Sequence, residues 1–118
     1  MSDLEPVYRA LQALLLPYAA HLDAKIDTPS ELYLDTRRLQ GGKPLFFGAV
    51  KIRKNAVSYH LMPVYLDPGL LDGLSVRLQK RMQGKSCFSF AQMDEELLQE
   101  LATLTGAAFD SYRRRGFV

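Results

Sequence analysis

The stretch Leu45-Phe46-Phe47-Gly48-Ala49-Val50-Lys51-Ile52-Arg53-Lys54-Asn55-Ala56-Val57-Ser58-Tyr59-His60-Leu61-Met62 decides the fold. Strand-like runs over Leu45 to Lys54 and Ala56 to Leu66 flank a tight turn centred on Lys54-Asn55, which predicts a β-hairpin. Such a turn sets a register. Ile52 then faces Val57, Val50 faces Tyr59 and Gly48 faces Leu61 on one side. On the other side Lys51 faces Ser58, Ala49 faces His60 and Phe47 faces Met62. The first set is apolar and the second is mixed, and a slip of one residue would exchange them. One face of this hairpin belongs to a core. The other is half polar.

Upstream, Glu31 to Arg38 alternates, with Leu32 and Leu34 on one side and Tyr33, Asp35 and Arg37 on the other, as in a half-buried strand. Gly41-Gly42 supplies the turn into the hairpin. Before it, Leu4, Tyr8, Leu11, Leu15, Tyr18 and Leu22 recur every three or four residues, predicting a helix with Asp3 as its cap and Pro6 in its first turn. Pro17 must kink this helix or end its first part near Leu16, and Asp27-Thr28-Pro29-Ser30 reads as a loop.

Downstream, Asp67-Pro68 opens a helical segment that Ser75 recaps and Gly84 ends. Lys85 to Phe90 is a short strand with Phe88 and Phe90 on one face and Cys87 and Ser89 on the other. Asp94 caps a last helix with the stripe Leu97, Leu101, Leu104, Ala108 and Tyr112. The predicted order is α-β-β-β-α-β-α over a single domain, residues 1–118. It describes an α+β fold: a mostly antiparallel four-stranded sheet with the terminal helices packed on one face.

Composition narrows the function. The chain has 118 residues, 47% hydrophobic and 24% charged, which suffices for one core without disulfides. A net charge of +2 and the lack of a long basic tail argue against nucleic acid as a partner. Cys87 stands alone, so neither an internal disulfide nor a CxxC zinc site is available. No apolar run approaches the ~20 residues of a membrane helix. The opening Met-Ser-Asp-Leu-Glu is acidic where a secretory leader is basic. A cytoplasmic protein without membrane attachment is expected.

Four motifs invite chemistry and have plainer explanations. Gly84-Lys85-Ser86 resembles the end of a phosphate-binding loop, but Gln79 stands where that pattern needs its first Gly, so it reads as a helix stop entering a strand. Cys87 and His60 project from the mixed face, where an imidazole can lower a thiol pKa; a nucleophile also needs an oxyanion site and an orienting group. Asp94, Glu95, Glu96 and Glu100 offer carboxylates of the kind iron prefers, and equally what a helix N-terminus favours. Arg113-Arg114-Arg115 complements the opposite end of that helix dipole.

The mixed sheet face is the main candidate. Tyr33, Asp35, Arg37, Phe47, Lys51, Arg53, Ser58, His60 and Met62 are expected to share it, joined by Cys87 and Ser89. Aromatic and apolar groups interleaved with cations suit a small anionic ligand or the interface of a homodimer. Two helices cover only one face of a sheet, which leaves this one open.

Lys43 to Ile52, Val57 to Tyr65 and Lys80 to Phe90 together resemble a bacterial group of uncharacterised small proteins, similar to the YdhG-like domains of unknown function. The resemblance implies a compact α+β fold with terminal helices against a sheet, and no established activity. One branch of those domains resembles frataxin and is assigned an iron-chaperone role, so iron enters as a cofactor by analogy alone, and no iron ligand is carried over. Three functional classes follow, in this order: a non-enzymatic binding or interaction protein using the open sheet face, an iron-handling protein, and a small Cys-dependent enzyme.

Overall fold

The computed structural model describes residues 3–118; Met1 and Ser2, part of the leader reading, lie outside them. The chain runs α1 (Glu5–Ala19), β1 (Leu22–Thr28), β2 (Glu31–Gln40), β3 (Lys43–Ile52), β4 (Val57–Leu61), α2 (Met62–Leu66), a 3-10 turn (Pro68–Leu71), α3 (Val76–Gln79), β5 (Cys87–Phe90) and α4 (Glu95–Arg114). The α+β class holds. The sheet, however, has five strands rather than four, in the order β1-β2-β3-β4-β5, each antiparallel to its neighbour.

The extra strand is β1. Helix α1 continues past Pro17 to Ala19, and the chain then turns into an edge strand where helix and loop were expected. Leu22 fits the helical stripe and is indeed buried, but as the first residue of β1. The remaining β1 residues are exposed, so no apolar alternation marks the strand. The cap of α1 is Leu4 rather than Asp3.

The hairpin register is as expected from Ile52↔Val57 through Gly48↔Leu61. Beyond that point the expectation fails. The chain turns into α2 at Met62, with Pro63 in the first turn, so Met62 has no strand partner at Phe47. The expected 67–82 helix is instead the 3-10 turn and the short α3, which Ser75 caps by accepting a hydrogen bond from the Leu78 N–H.

Against β2, Leu34 pairs with Gly48 while Asp35 pairs with Phe46, which leaves Phe47 as an extra residue in a β-bulge. Phe47 turns into the core, with no exposed surface, and its ring meets those of Phe109 and Tyr112 at 5.8 and 5.7 Å. Gly48 belongs to the same device. A Cβ there would lie 2.9 Å from the His60 carbonyl oxygen, so only glycine lets β3 approach β4 this closely.

Helices α1 and α4 lie on the core face. Leu11, Leu15, Leu34, Val50, Tyr59, Leu61, Phe88, Leu97, Leu101 and Tyr112 belong to one continuous buried cluster there. Polar ends buried within it are satisfied: Tyr59 and Thr105 share a 2.7 Å hydrogen bond, and the Thr105 hydroxyl also reaches the Leu101 carbonyl. The outer edge of β5 is closed by the preceding segment. Gln83 donates to the Cys87 carbonyl, Ser89 donates to the Arg81 carbonyl, and Met82 bridges Phe88.

Candidate functional site

Opposite the helices, β2 to β5 line a shallow depression of about 260 Å³. Tyr33, Lys51, Arg53, Ser58, His60 and Cys87 all border it, as expected for the mixed face. Five expected members do not: Asp35 and Ser89 are half-buried strand residues outside its lining, and three others are displaced from the face. Phe47 is rotated into the core by the bulge, and Met62 sits in α2. Arg37 is exposed within the second irregularity of the β2–β3 pairing, between Asp35 and Leu39, and lies 4.0 Å from Asp23 of β1.

Phe46 takes the place expected of Phe47. Its ring stacks on Tyr33 at 4.5 Å and meets His60 edge-on at 4.9 Å, giving a continuous aromatic floor across β2, β3 and β4. The helix layer stabilises this arrangement from behind, since the Tyr112 hydroxyl of α4 donates to the Phe46 carbonyl at 2.7 Å. A bulge frees backbone groups from the ladder, and this bond satisfies one of them. The available signal was the glycine after an aromatic doublet, because an isolated glycine within a strand marks a bulge or a close approach.

The cations stand at one end of the floor. Lys51 Nζ lies 3.7 Å from a Glu31 carboxylate oxygen, so it is partly neutralised. Arg53 has no carboxylate partner among the described residues; its Nε donates to the Ser58 hydroxyl at 3.4 Å. Ser58 in turn donates to the Lys51 carbonyl. Arg53 is thus the charge left available to an incoming anion.

His60 and Cys87 are direct partners across β4 and β5, so the expected juxtaposition is real. The groups they bond argue against a reactive pair. His60 Nε2 lies 2.6 Å from the hydroxyl of Ser86, a buried residue that the sequence offered only as the end of Gly84-Lys85-Ser86 and not as a partner of His60. Burial pulls the His60 pKa below its ordinary value, which favours the neutral ring. Burial also pushes the Cys87 thiol up, against smaller opposing effects of Arg53 and a Tyr59 backbone hydrogen bond. The thiol contacts the Phe88 carbonyl.

The other motifs are engaged structurally. Asp94 caps α4 by accepting from the Leu97 N–H and also pairs with Arg77, which reaches Glu96 as well. Glu100 accepts hydrogen bonds from both the backbone N–H and the hydroxyl of Ser75. Among the described residues, no group of three or more His, Cys, Asp or Glu is placed to hold a metal ion. Arg113 stacks over Phe109 at 5.2 Å. No helix among the described residues is long and apolar enough to cross a membrane.

Comparison with known proteins found no matching family model, no matching curated relative and no matching solved structure.

Proposed function

We propose that this chain is a non-enzymatic binding domain, placed in the cytoplasm, whose open sheet face takes a small planar anion. The observation that carries the reading is the joining of the Tyr33–Phe46–His60 floor to Arg53, a cation without a carboxylate partner among the described residues. A planar ring gains contact area on such a floor, and a carboxylate or phosphate on that ring reaches Arg53 and Lys51. A neutral His60 and a protonated Cys87 add no charge to the face, which suits binding better than nucleophilic attack. An iron-handling role, implied by the YdhG-like resemblance, draws less support, because Asp94, Glu96 and Glu100 already hold Arg77 and Ser75.

Benzoate is a suitable probe. Its titration, followed by amide shifts, is expected to move Tyr33, Phe46, Lys51, Ser58 and His60 and leave the helix layer unmoved. The Lys51→Glu, Arg53→Glu double variant is expected to lose these shifts while losing no more than about 1 kcal/mol of stability, since both charges are on the surface. Unaltered shifts in that variant would remove the reading. Native mass spectrometry showing a dimer that the variant splits would turn the same face into a subunit interface.

A further inference from the structure

A second cavity lies away from that face, between α2, the 3-10 turn and the hairpin tip that precedes β5. It offers about 410 Å³. Val64, Pro68, Leu71 and Met82 supply apolar walls, with Tyr65 at the rim, and Lys85 is the one charged residue in the lining. The apolar surface here is open: Tyr65 is 53% exposed and the adjoining Leu66 is 40% exposed. Large apolar side chains left in contact with water beside a formed cavity mark a place where burial is still to be gained. Gly84 at the tip has φ +90°, and a Cβ built on it meets nothing within 4 Å, so the backbone next to Lys85 faces open space.

We propose that this cleft binds an aliphatic monocarboxylate. The chain would lie against Leu71, Met82 and Val64, and the carboxylate at the mouth would meet the Lys85 ammonium, which has no carboxylate partner among the described residues. Charge complementarity selects this occupant. A single cation over apolar walls favours an amphipathic anion over a neutral or cationic chain. Size agrees as well. At roughly 30 Å³ for each liquid-packed group, the space admits about a dozen heavy atoms, the bulk of a medium-chain acid.

The test titrates octanoate, below its micelle concentration, and separately 1-octanol, against the full chain, reading amide shifts. Octanoate is expected to move residues 64–71 and 82–85 and to leave Tyr33, Phe46 and His60 in place. Lys85→Glu is an exposed substitution and is expected to weaken octanoate roughly fivefold while leaving octanol unchanged, since only the acid uses the ammonium. The Lys51→Glu, Arg53→Glu variant is expected to bind octanoate as the parent does, which separates this cleft from the sheet face. Shifts on the sheet face instead of the cleft, or an octanoate affinity that ignores Lys85→Glu, would overturn the proposal. Equal weakening of acid and alcohol would also overturn it.

Discussion

Truncating the two adjacent phenylalanines tests the bulge, on which the candidate site depends. Phe47 has no exposed surface and touches the rings of Tyr18, Phe109 and Tyr112. Cutting it to Ala removes the ring's transfer free energy and leaves a cavity that the sheet and helices cannot fully close, at a cost of about 3–5 kcal/mol. Phe46 is half-buried on the open face, and Phe46→Ala loses one stacked and one edge-on contact, about 1–2 kcal/mol in all. With a urea dependence of about 1.5 kcal/mol per molar, the midpoint falls by about 2–3 M for Phe47→Ala and about 1 M for Phe46→Ala. A domain with only about 5 kcal/mol to lose would be left barely folded by the first change. Phe47→Leu, expected to cost about 1–2 kcal/mol, keeps the comparison measurable. If Phe46→Ala were as damaging as Phe47→Ala, the strand would run without a bulge, with Phe47 facing the open side, and the aromatic floor would not exist.

Acid should act through His60. Its folded pKa lies below the ordinary value of 6.5 because burial penalises the charged ring, so the unfolded chain takes up the proton first. Its contribution to stability is therefore present above pH 6.5 and lost as the pH falls below it; urea midpoints between pH 7.5 and 5 should decline less steeply in His60→Gln, and parallel declines would count against this origin. Cys87, with its pKa raised by burial, should react with iodoacetamide at pH 7 more slowly than a free thiol and regain the free rate in urea. A folded-state rate faster than that of the free thiol would raise the Cys-dependent enzyme, third in the sequence ranking, above the binding reading.

Much of this architecture was legible because it follows from pattern alone. The Lys54-Asn55 turn and the two-residue period determine every pair from Ile52↔Val57 to Gly48↔Leu61, and the α4 stripe from Leu97 to Tyr112 is buried as its spacing implies. What escaped was the exception to period. Phe47 breaks the alternation through one extra residue, and the stabilising contact for that break runs from Tyr112 to the Phe46 carbonyl, 66 positions apart in the chain. Strand β1 escaped for a different reason. Leu22 continues the three-four spacing of α1, while the rest of β1 is exposed, so the two elements merge into one apparent helix and a loop. The pairing of Ser86 with His60 depends on how β5 is placed beside β4, which no local spacing reports.

The two borders of the sheet decide how the molecule behaves in a crowd of its own copies. A polymerising sheet needs a free run of rungs on each side, one to receive a neighbour and one to offer. Beyond β5, the rungs at Cys87 and Ser89 are already occupied by Gln83 and Arg81 respectively. Along β1 the ladder is interrupted where Lys25 is the extra residue between Ala24 and Ile26, and Asp23, Lys25 and Asp27 set charges along the border. Stacking copies edge to edge would have to break the first border and desolvate the second. The hydrophobic strands β3 and β4 are thus kept in the interior of the sheet, and concentrated samples should resist fibril growth for as long as the Arg81–Gln83 segment stays in place.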